Sequence, residues 1–441
     1  MRITRRQLLA SSALWAQPGA ARPSRRQLRW HELETYAFLH FTMNTFTDKE
    51  WGYGDEDPKL FAPSAFNADA IVEGLAAGGM KGVILTCKHH DGFCLWPTKT
   101  TAHSVMASGF RRDVVGEIAR AAARRKMKFG VYLSPWDRNH AAYGRPEYVD
   151  VYRRQLTELL TSYGPIFEVW HDGANGGDGF YGGAHEKRTI DKRSYYDWPR
   201  TWELVRKLQP DAVIFSDVGP DIRWVGNEKG FANETCWATY APVGPDGGPP
   251  APGHTRDKEG QTGHRDARQW LPAECDVSIR PGWFWHEKEN GRVKSGAELY
   301  DLYCRSVGRG ASFLLNVPPD RRGLLHENDV ASLKDFGRRV GETFAKNLAG
   351  RPDRELTVDA RGPFNVVRVR ERIADGQRID AFTVEGQFGA EWRPLAEGTS
   401  VGACRILRLP AVSEARRVRL RVARSSGPVL LSELGLYRES F

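Results

Sequence analysis

Val169-Trp170-His171-Asp172-Gly173-Ala174-Asn175 is the stretch on which the fold turns. A short apolar run stops at an acidic residue and a turn-forming glycine, which is how a buried strand reads when it feeds a polar loop. The same form recurs upstream. Phe38-Leu39-His40-Phe41 closes one run, Cys87-Lys88-His89-His90-Asp91-Gly92-Phe93 follows a second, and Tyr132-Leu133-Ser134-Pro135-Trp136-Asp137 ends a third. Apolar runs at 36–41, 82–86, 129–133, 167–170, 212–215 and 313–317 are separated by amphipathic stretches.

Two of those stretches show why they read as helices. Asn67 is placed to cap a segment whose Ile71, Val72, Leu75 and Ala76 share one face, and Gly78-Gly79 is its stop. Tyr152, Leu156, Leu159, Leu160 and Tyr163 repeat the spacing and end at Gly164. Strand alternating with helix from about 35 to 317 allows a barrel or an open doubly wound sheet. No Gly-x-Gly-x-x-Gly or P-loop follows the first strand, so the expected fold is an α/β (β/α)8-like, TIM-type barrel over residues 22–350. One or two of its eight units leave no clear apolar run. Residues 242–269, rich in Pro and Gly and without periodicity, are expected to form a long loop walling the active-site end.

After a helix-like stretch at 327–347 the period changes to two, with strands expected at 365–369, 379–385, 405–409, 418–422 and 429–437. Residues 351–441 therefore read as a C-terminal all-β sandwich domain. The net charge of +9 does not point to nucleic acid: in Arg417-Val418-Arg419-Leu420-Arg421-Val422 the arginines are the wet face of a strand. No apolar run approaches the roughly 20 residues of a membrane-spanning helix. The six cysteines lack the paired spacing of a disulfide framework or zinc site and read as buried thiols. At the N-terminus, Thr4-Arg5-Arg6-Gln7-Leu8-Leu9 precedes an apolar stretch at 8–16 and small residues at 19–21. Residues 1–21 are thus expected to be a bacterial twin-arginine export signal delivering the protein to the periplasm or beyond, a basic tail being the alternative.

Polar and aromatic residues gather where strands end, the place where barrel enzymes keep their chemistry. The mixture suits a sugar, whose hydroxyls need hydrogen-bond partners while its C–H face stacks on indole. Each element also has a plainer reading. His40 can be a core histidine, and Asp172-Gly173 a turn. His89, His90 and Asp91 can be metal ligands, although neighbours on an extended segment point to opposite sides.

Together these residues resemble glycoside hydrolase family 29, the α-L-fucosidases, over residues 30–441. The resemblance is carried by Phe38-Leu39-His40-Phe41, Glu50-Trp51-Gly52, Lys88-His89-His90-Asp91-Gly92-Phe93, Trp170-His171-Asp172-Gly173 and Leu314-Leu315-Asn316-Val317-Pro318-Pro319-Asp320. It implies a retaining enzyme with Asp172 as nucleophile and a second carboxyl group about 5 to 5.5 Å away as acid and base. The stretch Asp221-Ile222-Arg223-Trp224-Val225-Gly226-Asn227-Glu228 is similar to that of the subgroup acting on α-1,3/4-linked fucose. It makes Glu228, in a partly desolvated site, the acid/base, with Glu234 and Glu274 as competitors. The resemblance also implies a fucose pocket lined by His40, Glu50, Trp51, His89, His90, Tyr132, Trp136 and Trp170, with Trp283 or Trp285 covering the sugar. It implies a fucosylated oligosaccharide or glycoconjugate as partner, no metal and no cofactor, and a discoidin-like C-terminal sandwich that serves as scaffold or sugar binder. Two features depart from the family pattern: His171 beside the nucleophile, and the extended loop after Tyr240. The competing functions are a sugar-binding homologue without turnover and a metal-dependent hydrolase built on His89, His90 and Asp91.

Overall fold

The computed structural model describes residues 21–351 and 356–441; the twin-arginine motif falls on residues 1–20, outside the described residues. Eight parallel strands close a barrel in sequential order: β1 (Thr35–Leu39), β2 (Gly82–Lys88), β3 (Lys128–Leu133), β4 (Ile166–Trp170), β5 (Val213–Ser216), β6 (Ile222–Trp224), β7 (Ala273–Ser278) and β8 (Ser312–Asn316). Most of these strands are buried along their length because helices cover the outer face and side chains fill the inside, hence their unbroken apolar runs.

The helices begin where the sequence supplies caps. Asn67 Oδ1 accepts from the Ala70 N–H at 3.1 Å to start Ala68–Ala77. Asp113 accepts from the Gly116 N–H at 2.9 Å to start Val114–Arg124. Ser295 and Glu298 form a reciprocal capping box on Gly296–Ser306.

The units without a clear apolar run are β6 and β7. Between β5 and β6 there is no helix, because none is needed: Phe215 pairs with Ile222 and Ser216 with Arg223, so β6 starts beside the top of β5 and the chain steps across without returning down the barrel. From β6 the chain makes an irregular excursion, including the short turn Asp257–Gln261, before β7. Strand β7 is wholly buried yet carries Glu274, Asp276 and Ser278, so it does not read as apolar.

The C-terminal part is a sandwich of two antiparallel sheets. Its strands are β9 (Thr357–Asp359), β10 (Phe364–Glu371), β11 (Ile379–Phe388), β12 (Glu391–Gly398), β13 (Arg405–Ser413), β14 (Arg417–Ser425) and β15 (Leu431–Tyr437). One sheet runs β9-β14-β11-β12 and the other β13-β10-β15, with Val367, Val369, Phe382, Val384, Leu420 and Leu436 buried between them. Arg405 and Arg309 both bind Glu234, Arg265 pairs with Asp380 at 2.5 Å, and Gln377 bonds the backbone of Cys236 and Ala238, fastening sandwich to barrel. All six cysteines are buried and unpaired. Among the described residues no helix is long and apolar enough to cross a membrane.

Candidate active site

A cavity of about 340 Å³ opens at the C-terminal ends of the barrel strands. His40, Glu50, Trp51, His89, His90, Trp170, Asp172, Glu228 and Trp283 line it. Tyr132 and Trp136 stand in the layer behind: Tyr132 Oη donates to Asp172 Oδ2 at 2.9 Å, and Trp136 packs against the rings of His90 and Trp51. Trp285 does not reach the cavity. Trp283 faces inward, Phe284 packs on His40 and His89, and Trp285 turns toward the Arg321 guanidinium.

Asp172 sits immediately beyond β4. Its Oδ1 accepts from the Ala174 N–H at 2.7 Å. Burial pushes its carboxyl up to about 6, partly offset by those two hydrogen bonds, and the charge of Glu228 adds to the rise. His171, its neighbour, takes no part. It points to the other side of the strand, bonds Tyr152 Oη at 2.9 Å through Nδ1, and burial holds it neutral, down to about 3.

The three cavity imidazoles are kept neutral by burial, His40 and His90 at about 3 and His89 well below its ordinary value. Their tautomers follow from their neighbours. Asn316 donates through Nδ2 to Ser278 and Trp283, so its Oδ1 accepts from His40 Nδ1–H at 2.9 Å and His40 Nε2 is an acceptor. Asn44 Nδ2 donates to the Glu50 carbonyl and to His89 Nδ1, leaving His89 Nε2–H as a donor. Ser134 gives its proton to the Trp136 carbonyl and accepts from His90 Nδ1–H at 2.7 Å, so His90 Nε2, 3.8 Å from Asp172, is an acceptor. Mixed donors and acceptors of this kind match sugar hydroxyls.

The expectation that His89 and His90 point apart is wrong. Their ring centres lie 4.0 Å apart and both face the cavity, because β2 ends at Lys88 and strand alternation stops there. Asp91 turns away to the Phe93 N–H and Thr42, so the three residues of the metal reading do not converge. Among the described residues no group of three His, Cys, Asp or Glu side chains could hold a metal ion. Lys88, buried beneath them, donates to Asp137, Tyr148 and Gln155 and ties the loops after β2 and β3 together.

The candidate carboxyls separate clearly. Glu228 stands on the loop after β6, where its Oε2 accepts from Trp283 Nε1 at 3.3 Å; it is exposed rather than desolvated, since that loop leaves it at the cavity rim. Glu274 lies inside the barrel, accepting from Tyr36 and from Trp170 Nε1, beside Glu168. Burial raises both carboxyls; the charge of Glu274 raises Glu168 further, while a hydrogen bond from Glu168 offsets part of the rise on Glu274. Glu234 is held at the sandwich contact by Arg309 and Arg405.

Sequence reasoning missed Phe215, Asp217, Trp224, Asp257 and Asp276 in the lining. Asp217 had a usable signal, for Ile214-Phe215-Ser216-Asp217 repeats the apolar-run-then-Asp form of β4. Glu50 is fixed by the N–H groups of Trp283 and Phe284 and by His286 Nε2 at 2.7 Å; Asp48 and Glu50 together outweigh burial and raise the His286 pKa.

Known proteins resemble this chain along most of its length. The α-L-fucosidase family profile matches residues 15–342. α-L-Fucosidase 1 of Arabidopsis thaliana is 41% identical over 95% of this chain and 88% of its own. A glycoside hydrolase 29 family member from an unknown rumen bacterium superposes with a TM-score of 0.89 at 41% identity, covering 96% of this chain and 78% of that one. A Ruminococcus gnavus family 29 fucosidase in complex with fucose gives 0.81 at 29% identity, covering 96% and 97%. With a sequential barrel, a carboxylate-lined cavity at its C-terminal end and these likenesses, the chain belongs to glycoside hydrolase family 29, the α-L-fucosidases.

Proposed function

We propose that the enzyme hydrolyses terminal α-1,3/4-linked L-fucose with retention, Asp172 acting as nucleophile and Glu228 as acid and then base. The observation that carries this reading is that Asp172 and Glu228 line one cavity, from which Glu234 and Glu274 are absent. Asp172, its Oδ1 held by the Ala174 N–H and its Oδ2 by the Tyr132 phenol, attacks the anomeric carbon as Glu228 gives its proton to the departing glycosidic oxygen. The fucosyl ester is then hydrolysed by water that Glu228 deprotonates. His40 and His90 accept from fucose hydroxyls, His89 donates to one, and Trp170 and Trp283 offer apolar faces. The α-1,3/4 preference rests on the likeness of residues 221–228 to that subgroup. We also propose export by a twin-arginine signal within residues 1–21, on the strength of its paired arginines and following apolar stretch.

Product stereochemistry tests the mechanism. Proton NMR during hydrolysis of 4-nitrophenyl α-L-fucoside should show α-fucose formed first and mutarotating later. β-Fucose as the first product would overturn retention.

A further inference from the structure

Two sets of cavity-lining residues stand on different strands, with Asp276 and Trp283 supplied by β7 and the loop after it. Loops and strand ends around β1 to β4 supply the imidazoles, Trp170 and Asp172. The loops after β5 and β6 and the Pro/Gly-rich segment supply Asp217, Glu228, Gly253, Thr255 and Asp257. This second set is tightly built. Asp217 Oδ2 accepts from the Gly253 N–H at 2.8 Å, while Asp217 Oδ1 is enclosed without a protein partner. Gly253 presses so close to the loop carrying Asp172 that a Cβ there would lie 2.2 Å from the Gly173 carbonyl oxygen. A Cβ on Gly226, two residues before Glu228, would lie 2.0 Å from the carbonyl oxygen of Asp257. Acidic side chains thus converge from three loops held together by backbone contact.

Among the described residues, no lysine or arginine lines the cavity. Lys192 acts on Asp257 electrostatically but does not line it. We infer that Asp217, Glu228, Thr255 and Asp257 form the leaving-group subsite, and that it accepts an uncharged, hydroxyl-bearing sugar while rejecting one that carries sulfate or carboxylate. The inference rests on Glu228 being the acid of the proposed reaction, since the acid marks the side on which the leaving group sits. Hydroxyls can donate to the Asp257 carboxylate and pair with the Thr255 hydroxyl. An anionic substituent there loses water beside like charges and meets no cation among the lining residues. Burial already pushes Asp217 up to about 7, with the charges of Asp257 and Asp172 adding to the rise, so at neutral pH this wall resists further negative charge.

The test compares kcat/KM of the full chain on α-L-fucosyl-(1→4)-N-acetylglucosamine and on its 6-O-sulfate, with 4-nitrophenyl α-L-fucoside as a third substrate. The sulfate should lower kcat/KM by about tenfold or more. Asp217→Asn and Asp257→Asn should each shrink that ratio. Both substrates are measured on the same protein, so a general loss of fold or turnover cancels from the ratio. A sulfated substrate processed within about twofold of the neutral one by the wild type, or a ratio unmoved in both variants, overturns the inference. Hydrolysis of 4-nitrophenyl fucoside with no discrimination defeats the subsite alone. Failure on all three substrates defeats the fucosidase mechanism and the subsite with it.

Discussion

The Tyr132 phenol donates to Asp172 Oδ2 across 2.9 Å, from the end of β3 to the residue after β4. A hydrogen bond to the ionised carboxylate favours that form, against a burial that pushes Asp172 up to about 6. As the proposed nucleophile Asp172 must be ionised, so the acidic limb of kcat/KM should fall as pH drops through about 6. Tyr132→Phe removes a favourable donor and should move this acidic limb upward while lowering kcat. A pH profile of both proteins checks the direction; an unmoved limb separates Tyr132 from the ionisation of Asp172.

The same burial has a consequence for stability. Asp172 is raised from 3.8 to about 6 in the folded chain, so the folded state binds more protons than the unfolded one between those values. Stability attributable to this group is therefore highest below about pH 4 and is lost as pH rises through 6. Asp172→Asn should be more stable than wild type at pH 7 by up to about 2 kcal/mol, less than the full shift implies because the side chain is 22% exposed. The difference should shrink toward pH 4 in denaturant titrations.

Three glutamates can be told apart by leaving-group dependence. Glu228→Ala should lose about 100-fold or more on a poor leaving group and far less on 4-nitrophenyl or 2,4-dinitrophenyl fucoside. Glu274→Gln should keep the wild-type dependence, because Glu274 lies inside the barrel and an amide can still accept from Trp170 Nε1. Glu234→Ala should lose at most about 1 kcal/mol of stability and little activity, as its carboxylate is 64% exposed at the sandwich contact. Equal losses on good and poor leaving groups would remove Glu228 from the acid role.

Gly282 keeps Glu50 in place by its lack of a side chain. A Cβ there would lie 2.5 Å from Glu50 Oε1 and 3.0 Å from His286 Cδ2. The end of a flexible side chain can move, so Gly282→Ala should fold with a Tm near wild type. It should also raise KM for 4-nitrophenyl fucoside by about tenfold as Glu50 leaves His286 and the Trp283 N–H. Steady-state kinetics beside a thermal melt separate these effects.

Much of this arrangement was legible in the sequence, and the exceptions share physical causes. The long apolar strands announced themselves because both faces of a barrel strand are buried. Strand β6 is only three residues, and β7 buries Glu274 and Asp276, so neither has the expected composition. In the sandwich, β12 pairs on one side only and is largely exposed, which erased its alternation. Motifs located Asp172, the imidazoles and Trp283, but the convergence of Asp217 and Asp257 depends on how residues 242–269 fold back onto Gly173, and no local pattern encodes that. His89 and His90 were misread because alternation was carried two residues past the end of its strand.

The most direct measurement is the action of Asp172→Gly on 4-nitrophenyl α-L-fucoside with and without sodium azide. Removing this proposed nucleophile should lower kcat by about a thousandfold or more, and azide should restore turnover by entering the space it left and yielding β-fucosyl azide. Undiminished hydrolysis by the variant would contradict the assignment of Asp172 as nucleophile.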